Sequence, residues 1–263
     1  MLSGADLRLA RRIEMAEAAH AVASAEALKA ILSETITKPF AGGIAVFAGV
    51  QPAFTRVTGL GLNGTVAETD WKEMEEFFRL RGSPCVIDLC PLTDVSVLAF
   101  LQRHPYRLAD FNNVMARGIA PHEPFTASAA IRETGDSETQ EWARVICRGF
   151  SEQMPVEEDA VDVMAATSKA SRCWLAVDGD PVAGAAIGEY DGVALFYGDA
   201  TIPQARRRGW QSALITTRLA AAQQSGCDLA VASVLPGSSS HRNYERAGFQ
   251  LLYMRVTLSN EGM

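Results

Sequence analysis

The chain has 263 residues, enough for one large domain or two modest ones at roughly 150 residues per domain. Hydrophobic residues make up 48% and charged residues 21%, a composition that excludes a disordered, fibrous or coiled-coil protein. The net charge of −7 provides no general positive field for phosphate backbones or anionic lipids. We therefore expect neither nucleic acid nor a membrane surface as a partner.

The chain carries no apparent membrane-spanning or export segment. The longest apolar stretches, such as residues 41–50, are shorter than the roughly 20 residues that cross a bilayer. Near the N-terminus, Arg8, Arg11 and Arg12 alternate with apolar residues, as in an amphipathic helix and not as in a signal peptide. We expect a cytoplasmic protein without membrane association.

The cysteines and histidines suggest neither disulfides nor a metal. Five cysteines are an odd number, and a chain of this size needs no disulfides, so we expect reduced thiols. Cys85 and Cys90 lack the second ligand pair that zinc requires, and the four histidines show no ligand spacing. The sequence predicts no metal site.

Apolar periodicity predicts a mixed fold. Helical patterns cover residues 1–35, 68–81, 94–103, 137–150, 157–167, 210–225 and 239–246. Strands are predicted at residues 43–47, 56–60, 85–89, 126–132, 173–177, 182–190, 193–201, 229–234 and 250–258. Turn residues at 178–181 and 190–192 join three strands into an antiparallel meander, which disfavours a purely doubly wound sheet. The predicted class is α/β of the α+β type, with mixed, mostly antiparallel sheets flanked by helices.

Residues 117–124 contain two prolines and a glycine, which predicts a linker, and we place the domain boundary near Glu123. The expected domains are residues 1–123 and 124–263. A shift of 143 positions carries Tyr106 onto Phe249 and the strand 86–89 onto 229–232, with the same order of elements. Few identities support this repeat. We interpret it as a diverged duplication, with coincidence as the alternative.

The segment from Thr201 to Leu214 carries the strongest chemical signal. A strand is followed by three arginines, Gly209 and the start of a helix. The N–H groups of a first helical turn and the helix dipole attract anions, and a glycine lets a ligand approach the main chain. The segment therefore predicts a pyrophosphate site, and the alternative is a solvated basic helix start.

Two motifs of the chain resemble the GNAT superfamily of N-acetyltransferases. The first corresponds to the family's (Gln/Arg)-x-x-Gly-x-(Gly/Ala) loop after the fourth strand, and the second to its later Tyr-x-x-x-Gly-Phe. Here they comprise Pro203, Arg206, Gly209 and Gln211, then Tyr244, Gly248 and Phe249. Gln211 departs from the family's Gly or Ala, and its side chain could crowd the pyrophosphate or hydrogen-bond to it. The resemblance covers residues 125–263 and implies two GNAT-like domains in tandem.

The resemblance implies a site for acetyl-CoA. Main-chain N–H groups from Arg206 to Gln211 and the Arg206 side chain would hold the pyrophosphate. The end of the strand 193–201 would pair with the pantetheine arm and supply an oxyanion donor. The expected cofactor-binding residues are Ala200, Thr201, Ile202, Arg206, Arg207, Arg208, Gly209, Trp210, Gln211 and Ser212.

Acetyl transfer to an amine needs one proton removed and another supplied, because amines titrate near 10.4 and thiols near 8.5. By the resemblance, Tyr244 would be the acid that protonates the leaving sulfur. Asp199 is the chosen candidate for the base, with Glu189, Asp191 and a water chain as open alternatives.

The first half contains a Gly-x-Gly-x-x-Gly pattern at residues 59–64, with Asp88 beyond it, which suggests a dinucleotide site. Asp88 lies inside its strand, however, and the motif follows a hairpin. Under the 143-residue shift the pattern falls on the arginine loop, and Leu101 falls on Tyr244. We therefore expect residues 1–123 to be a degenerate GNAT-like domain without catalysis.

The sequence thus predicts an N-acetyltransferase that moves an acetyl group from acetyl-CoA to a primary amine of a small molecule or peptide. The acidic segment 151–159 could border the acceptor, or it could be an exposed helix start. A non-catalytic acyl-CoA-binding sensor is the first alternative. A nicotinamide-dependent oxidoreductase is the second.

Overall fold

The computed structural model describes residues 4–49, 53–151 and 156–260. These residues form two compact units. The first unit consists of residues 4–114 together with 252–260, and the second unit is Met115–Leu251. Within the described residues, no helix combines the length and apolar character that a bilayer span requires.

Seven α-helices and eleven strands occur in the described residues. The helices are α1 (Leu7–Leu28), α2 (Glu68–Arg79), α3 (Val95–Leu101), α4 (Thr139–Phe150), α5 (Glu158–Ser168), α6 (Trp210–Gln224) and α7 (Ser239–Arg246). The strands are β1 (Ile36–Phe40), β2 (Gly43–Phe47), β3 (Arg56–Thr58), β4 (Val86–Leu89), β5 (Arg107–Gly118), β6 (Ile131–Glu133), β7 (Arg172–Asp178), β8 (Asp180–Tyr190), β9 (Val193–Thr201), β10 (Leu229–Val234) and β11 (Gln250–Ser259).

In the first unit the strand order is β1-β2-β3-β4-β11-β5. Strands β3 and β4 are parallel, whereas β1–β2, β2–β3 and β4–β11 are antiparallel. Aromatic residues fill the core, where Trp71 of α2 stacks on Phe100 of α3 with ring centroids 3.9 Å apart. The burial of these large rings contributes to the hydrophobic stabilisation of the unit.

In the second unit the order is β5-β10-β9-β8-β7-β6, with β9 and β10 parallel and β6–β7, β7–β8 and β8–β9 antiparallel. Alternate residues of β7 face opposite sides of the sheet, as the strand period of two requires. Trp174 and Ala176 pack in the cluster that contains α6, and Cys173 and Leu175 pack with α4 and α5. Helices therefore cover both faces of the β7–β9 meander.

The structure confirms the predicted fold class, including the meander and its two turns. At the second turn Asp191 and Gly192 both have positive φ, which suits a tight hairpin. Strands β1 and β5 were not predicted. The strand predicted at 126–132 was mostly wrong, since β6 covers only 131–133. The predicted linker at 117–124 begins inside β5, which ends at Gly118.

The order of elements recurs in the two units. In each, three antiparallel strands precede a helix, a strand parallel to the third one, and a second helix. The strand that then follows begins at Arg107 in one case and at Gln250 in the other, which is the shift found in the sequence. This regularity agrees with the duplication, which remains our interpretation.

Candidate active site

Strand β9 carries a bulge near its end. The register with β8 shifts between Gly184 and Ala186, so that two residues of β9 lie opposite one of β8. Gly198 has a φ of 66°, a left-handed conformation that glycine adopts without strain. The bulge turns the next residue, Asp199, so that its carboxylate lines a cavity in the second unit.

The arginine loop leads from β9 into α6. Residues Pro203–Ala205 form a short 3-10 turn, and Arg207 and Gly209 both have positive φ. Helix α6 begins at Trp210 behind Gly209, with no side-chain cap and no acidic residue in its first turn. The first N–H groups of a helix have no partner within the helix, so they remain available to an anion.

These elements surround a cavity of about 740 Å³. The wall combines the end of β9, the arginine loop, the first turn of α6 and one side of α7. The lining residues are Gly149, Asp199, Ala200, Thr201, Ala205, Arg206, Arg207, Gly209, Trp210, Gln211, Ser212, Leu214, Ser239, Ser240, Arg242, Asn243 and Arg246. Four arginines among them make the cavity strongly cationic although the chain carries a net charge of −7.

The three consecutive arginines have different surroundings. Arg206 donates hydrogen bonds to the carbonyl oxygens of Thr201 and Gly149, at 3.3 and 3.0 Å. Arg208 forms an ion pair with Asp178 at 2.7 Å. Arg207 lines the cavity and has neither a hydrogen bond nor an ion pair within the described part of the chain. Its guanidinium is therefore the one of the three that is available to a bound anion.

Gln211 joins the first turn of α6 to α7. Its amide nitrogen donates to the Ser240 hydroxyl at 2.8 Å, and its amide oxygen accepts from the Asn243 side chain at 2.6 Å. Both donor and acceptor groups of the amide are thus satisfied by α7. The residue that departs from the family pattern is fixed at the cavity wall.

Asp199 is part of a buried polar cluster with Tyr244 of α7 and Arg218 of α6. The Tyr244 hydroxyl donates to Oδ2 of Asp199 at 2.6 Å, and Arg218 forms an ion pair with Asp199. Tyr244 is only 1% exposed, and its ring packs edge-on against Phe196 and Phe249. Burial, and then the negative charge of Asp199, raise the pKa of Tyr244 well above its ordinary value. The phenol is therefore neutral at physiological pH.

The structure brings most of the predicted site residues to the cavity. Those that line it are Asp199, Ala200, Thr201, Arg206, Arg207, Gly209, Trp210, Gln211 and Ser212. Ile202, Arg208 and Tyr244 are not among the lining residues, and Tyr244 lies one hydrogen bond behind Asp199. The roles of these residues in binding acetyl-CoA and in catalysis remain predictions.

The alternative candidates for the base lie elsewhere. The Glu189 carboxylate is within 3.5 Å of Arg172, and Asp191 occupies the β8–β9 turn. Of the acidic segment 151–159, residues 152–155 lie outside the described residues, and Glu158 forms an ion pair with Arg144 at 2.8 Å.

Several lining residues were missed by sequence reasoning. Gly149 ends α4 against β9, where a Cβ would lie 2.7 Å from that of Ala200. The α7 residues Ser239, Ser240, Arg242, Asn243 and Arg246 were treated only as a helix. Their spacing of three and four residues places them on one helical face, a signal that could have been used.

The glycine pattern of the first unit is closed to an anion. The N–H group of Val66 donates to the Ser96 hydroxyl of α3, and that of Ala67 donates to the Asp70 carboxylate of α2, so both N–H groups in front of α2 are engaged. A Cβ on Gly61 would lie 2.5 Å from the Thr93 hydroxyl oxygen. Asp88 forms an ion pair with Arg56 and accepts from Thr257. The residues expected to bind a dinucleotide are thus engaged within the unit.

Residues 138–249 match the model of the acetyltransferase (GNAT) family. A GCN5-related N-acetyltransferase from Kribbella flavida has a similar structure, with a TM-score of 0.63 and 18% identity over 93% of this chain and 96% of that one. A tandem GNAT protein from the clavulanic acid biosynthesis pathway has a TM-score of 0.60 and 12% identity, over 82% of this chain and 77% of that one. A GCN5-related N-acetyltransferase from Sphaerobacter thermophilus has a TM-score of 0.57 and 16% identity, over 86% of this chain and 75% of that one. No curated protein matches the chain.

The family match concerns the second unit, and the shared fold extends over most of the chain. The two motifs identified in the sequence lie within residues 138–249, and solved GNAT structures share the architecture of most of the chain. Residues 138–249 are therefore similar to the acetyltransferase (GNAT) family, and most of the chain has the fold of solved GNAT structures.

Proposed function

We propose that the chain is an N-acetyltransferase that moves an acetyl group from acetyl-CoA to a primary amine, with the chemistry in the second unit. One observation carries the proposal: the uncapped start of α6 opens into the same cavity as Asp199, the carboxylate bonded to Tyr244. An anion site and Asp199, one member of the proposed proton-transfer pair, would thus share one cavity. The similarity to the GCN5-related N-acetyltransferase from Kribbella flavida supports the same activity.

The cavity fits the diphosphate of acetyl-CoA by charge and by main-chain geometry. The N–H groups from Arg206 to Gln211 would bind the phosphate oxygens, and Arg207 adds a positive charge without breaking an existing ion pair. A Cβ on Gly209 would meet nothing within 4 Å, which leaves the main chain open to close approach. Residues Ala200, Thr201 and Ile202 would face the thioester end of the donor.

Asp199 and Tyr244 would move the two protons of the reaction. The amine nitrogen bonds to the acetyl carbon while the carbon–sulfur bond breaks, and Asp199 accepts the proton that the nitrogen loses. The Tyr244 hydroxyl gives its proton to the departing thiolate. Asp199 then returns its proton to the phenolate oxygen across their hydrogen bond, so the pair ends as it began.

The raised pKa of Tyr244 is compatible with this role. The charge of Asp199 is one cause of that elevation, and it disappears when Asp199 takes the proton of the amine. The phenol therefore becomes a stronger acid at the moment when the sulfur leaves. Because Tyr244 lies behind Asp199, the sulfur must reach the bulge of β9 for the transfer to occur.

We propose that the first unit takes no part in the chemistry. The start of α2 is occupied by Asp70 and Ser96, whereas the start of α6 is open. Acidic residues in the first turn of α2 would repel a phosphate, and α6 has none there. The unit would instead have a structural role.

Unfolding with added ligands tests the proposal. Acetyl-CoA at a hundred times its dissociation constant should raise the free energy of unfolding by about 2.7 kcal/mol, and addition of amines should release a free thiol. A panel of small primary amines and lysine peptides is assayed with a thiol reagent. Stabilisation without thiol release from any amine would favour an acyl-CoA sensor. Stabilisation by a nicotinamide dinucleotide alone would contradict the assignment.

A further inference from the structure

Arg218 is a fully buried cation in the middle of α6, next to the proposed proton-transfer pair. Its side chain is 0% exposed, whereas arginine is almost never fully buried in soluble proteins unless it is paired. Nothing in the residue pattern around Arg218 predicts its burial. The ion pair with Asp199 explains how the charge is tolerated, and its other contacts indicate what it does.

The guanidinium of Arg218 contacts both members of the pair. One terminal nitrogen lies beside Oδ1 of Asp199 and 3.4 Å from the Tyr244 hydroxyl, and the other lies 3.4 Å from Oδ2 of Asp199. The planar fork of arginine can hold a carboxylate at two points and a hydroxyl beside it, and lysine cannot reproduce that geometry. Arg218 thus fixes the positions of Asp199 and Tyr244 relative to each other.

Arg218 also anchors the bulge that presents Asp199. It donates to the carbonyl oxygens of Ala186 at 3.0 Å and Tyr197 at 3.4 Å, the residue pair at which the β8–β9 register shifts. Its Nε donates to the Leu214 carbonyl, and the guanidinium lies 4.6 Å from the centre of the Phe196 ring. The backbone around Asp199 and the side chain of Asp199 are therefore held by one residue.

The charge of Arg218 matters during the proton transfer proposed above. At rest, the negative carboxylate of Asp199 balances the guanidinium. When Asp199 takes a proton, an unbalanced positive charge remains 3.4 Å from the Tyr244 oxygen, where a phenolate develops. A nearby cation stabilises an anion strongly in a site with little water.

We propose that Arg218 is a positioning residue that holds Asp199 and Tyr244 as one proton-transfer unit and stabilises the phenolate form of Tyr244. The inference rests on the proposed acetyl transfer. It assigns Arg218 no contact with either substrate, since Arg218 is not among the residues that line the cavity.

The first unit supplies a matched control. Arg255 is also buried, it forms an ion pair with the buried Glu14 at 2.8 Å, and Glu14 accepts from the Tyr253 hydroxyl at 2.8 Å. The cluster has the same three kinds of group, with Glu17 as a second carboxylate 3.3 Å from Arg255, and none of its residues lines the cavity of the second unit. Replacing either arginine breaks a buried ion pair, so both changes destabilise the protein. Only the change at Arg218 should alter catalysis.

The test compares Arg218→Lys and Arg218→Met with Arg255→Lys and Arg255→Met. We expect the Arg218 variants to bind acetyl-CoA within about threefold of the wild type while kcat, measured as thiol release with an amine that the wild type accepts, falls about a hundredfold. The basic limb of their kcat profile should move to higher pH, because the positive charge of Arg218 lowers the pKa of Tyr244 and that effect is lost in the variants. The Arg255 variants should keep the wild-type kcat and pH profile.

The outcomes separate this proposal from the proposed function. Wild-type kcat and an unchanged pH profile in Arg218→Lys, while the wild type is active, would contradict the role of Arg218 alone. A wild type that releases no thiol with any amine would contradict both. If the variants do not fold, guanidinium NMR of the wild type decides. The Arg218 resonances should shift with pH over the range in which kcat changes, and constant Arg218 resonances would overturn the proposal.

Discussion

The Tyr244 hydroxyl donates a 2.6 Å hydrogen bond to Asp199, a residue 45 positions earlier in the chain. Two features of the backbone make the contact possible. The bulge at Gly198 turns Asp199 inward, and the N-cap Ser238, whose hydroxyl accepts from the His241 N–H, fixes the start of α7. The contact connects the cavity wall to a phenol that is buried behind it.

Removal of the Tyr244 hydroxyl tests its role as the acid. Tyr244→Phe should lower kcat by a hundredfold or more and change the affinity for acetyl-CoA by less than threefold, because general acid catalysis typically contributes 10²–10⁴. Thiol release gives kcat, and calorimetric titration gives the affinity. Turnover equal to that of the wild type would remove the assignment.

A methyl group at the start of α6 tests the anion site. Gly209→Ala places a methyl group where the phosphates would approach the main chain, and we expect about a tenfold loss of acetyl-CoA affinity. Gly226→Ala, just after the C-terminal end of α6, is the control. Gly226 has a φ of +80° and Gly209 one of +85°, and a Cβ added at either residue would meet no atom within 4 Å. Both changes should cost about 1 kcal/mol of stability through backbone strain. Equal acetyl-CoA affinity in the two variants would contradict the site.

The arginine loop predicts a difference between two neighbouring side chains. Arg207 lines the cavity, whereas Arg208 is paired with Asp178. Arg207→Ala should weaken acetyl-CoA binding about tenfold, and the loss should shrink as salt is added, because salt screens exposed charges. Arg208→Ala should cause a smaller loss, since the Arg208 side chain is engaged by Asp178 and does not line the cavity. Titrations at low and high salt measure both, and a larger effect at Arg208 would refute this prediction.

His20 of α1 predicts acid sensitivity of the first unit. Burial lowers the pKa of His20 to about 4, from an ordinary value of 6.5. The unfolded chain therefore binds this proton more readily than the folded one, and stability falls as the pH drops from about 6.5 to 4. Urea unfolding at several pH values measures this effect. The free energy of unfolding of His20→Gln should depend less on pH than that of the wild type. An identical dependence in the variant would contradict the prediction.

The sequence predicted the elements whose pattern is set locally. The meander β7–β9 has tight turns and regular apolar runs, and all three strands were found. Strand β5 was missed because its first residues, Arg107 to Phe111, are all exposed and show no alternation of buried and exposed positions. Strand β1 contains Pro39, which suits only an edge strand and lowers the strand signal.

The part of the candidate site that main-chain groups of one loop form was predicted. The part that side chains from distant elements form was missed. The glycine and the arginines of the loop reveal an anion site without any tertiary information. Arg218 was missed because a charged residue in a helix is expected to face water, and only the carboxylate of Asp199 makes its burial possible. The two strongest contacts of Asp199 are therefore tertiary, and the sequence indicated only that Asp199 lies near the central strands.

A crystal structure with bound acetyl-CoA tests the central claim most directly. We predict phosphate oxygens within hydrogen-bond distance of N–H groups between Arg206 and Gln211, the Arg207 guanidinium beside them, and the thioester next to Asp199. A nucleotide bound at residues 59–64 of the first unit, or a diphosphate away from the start of α6, would contradict the account.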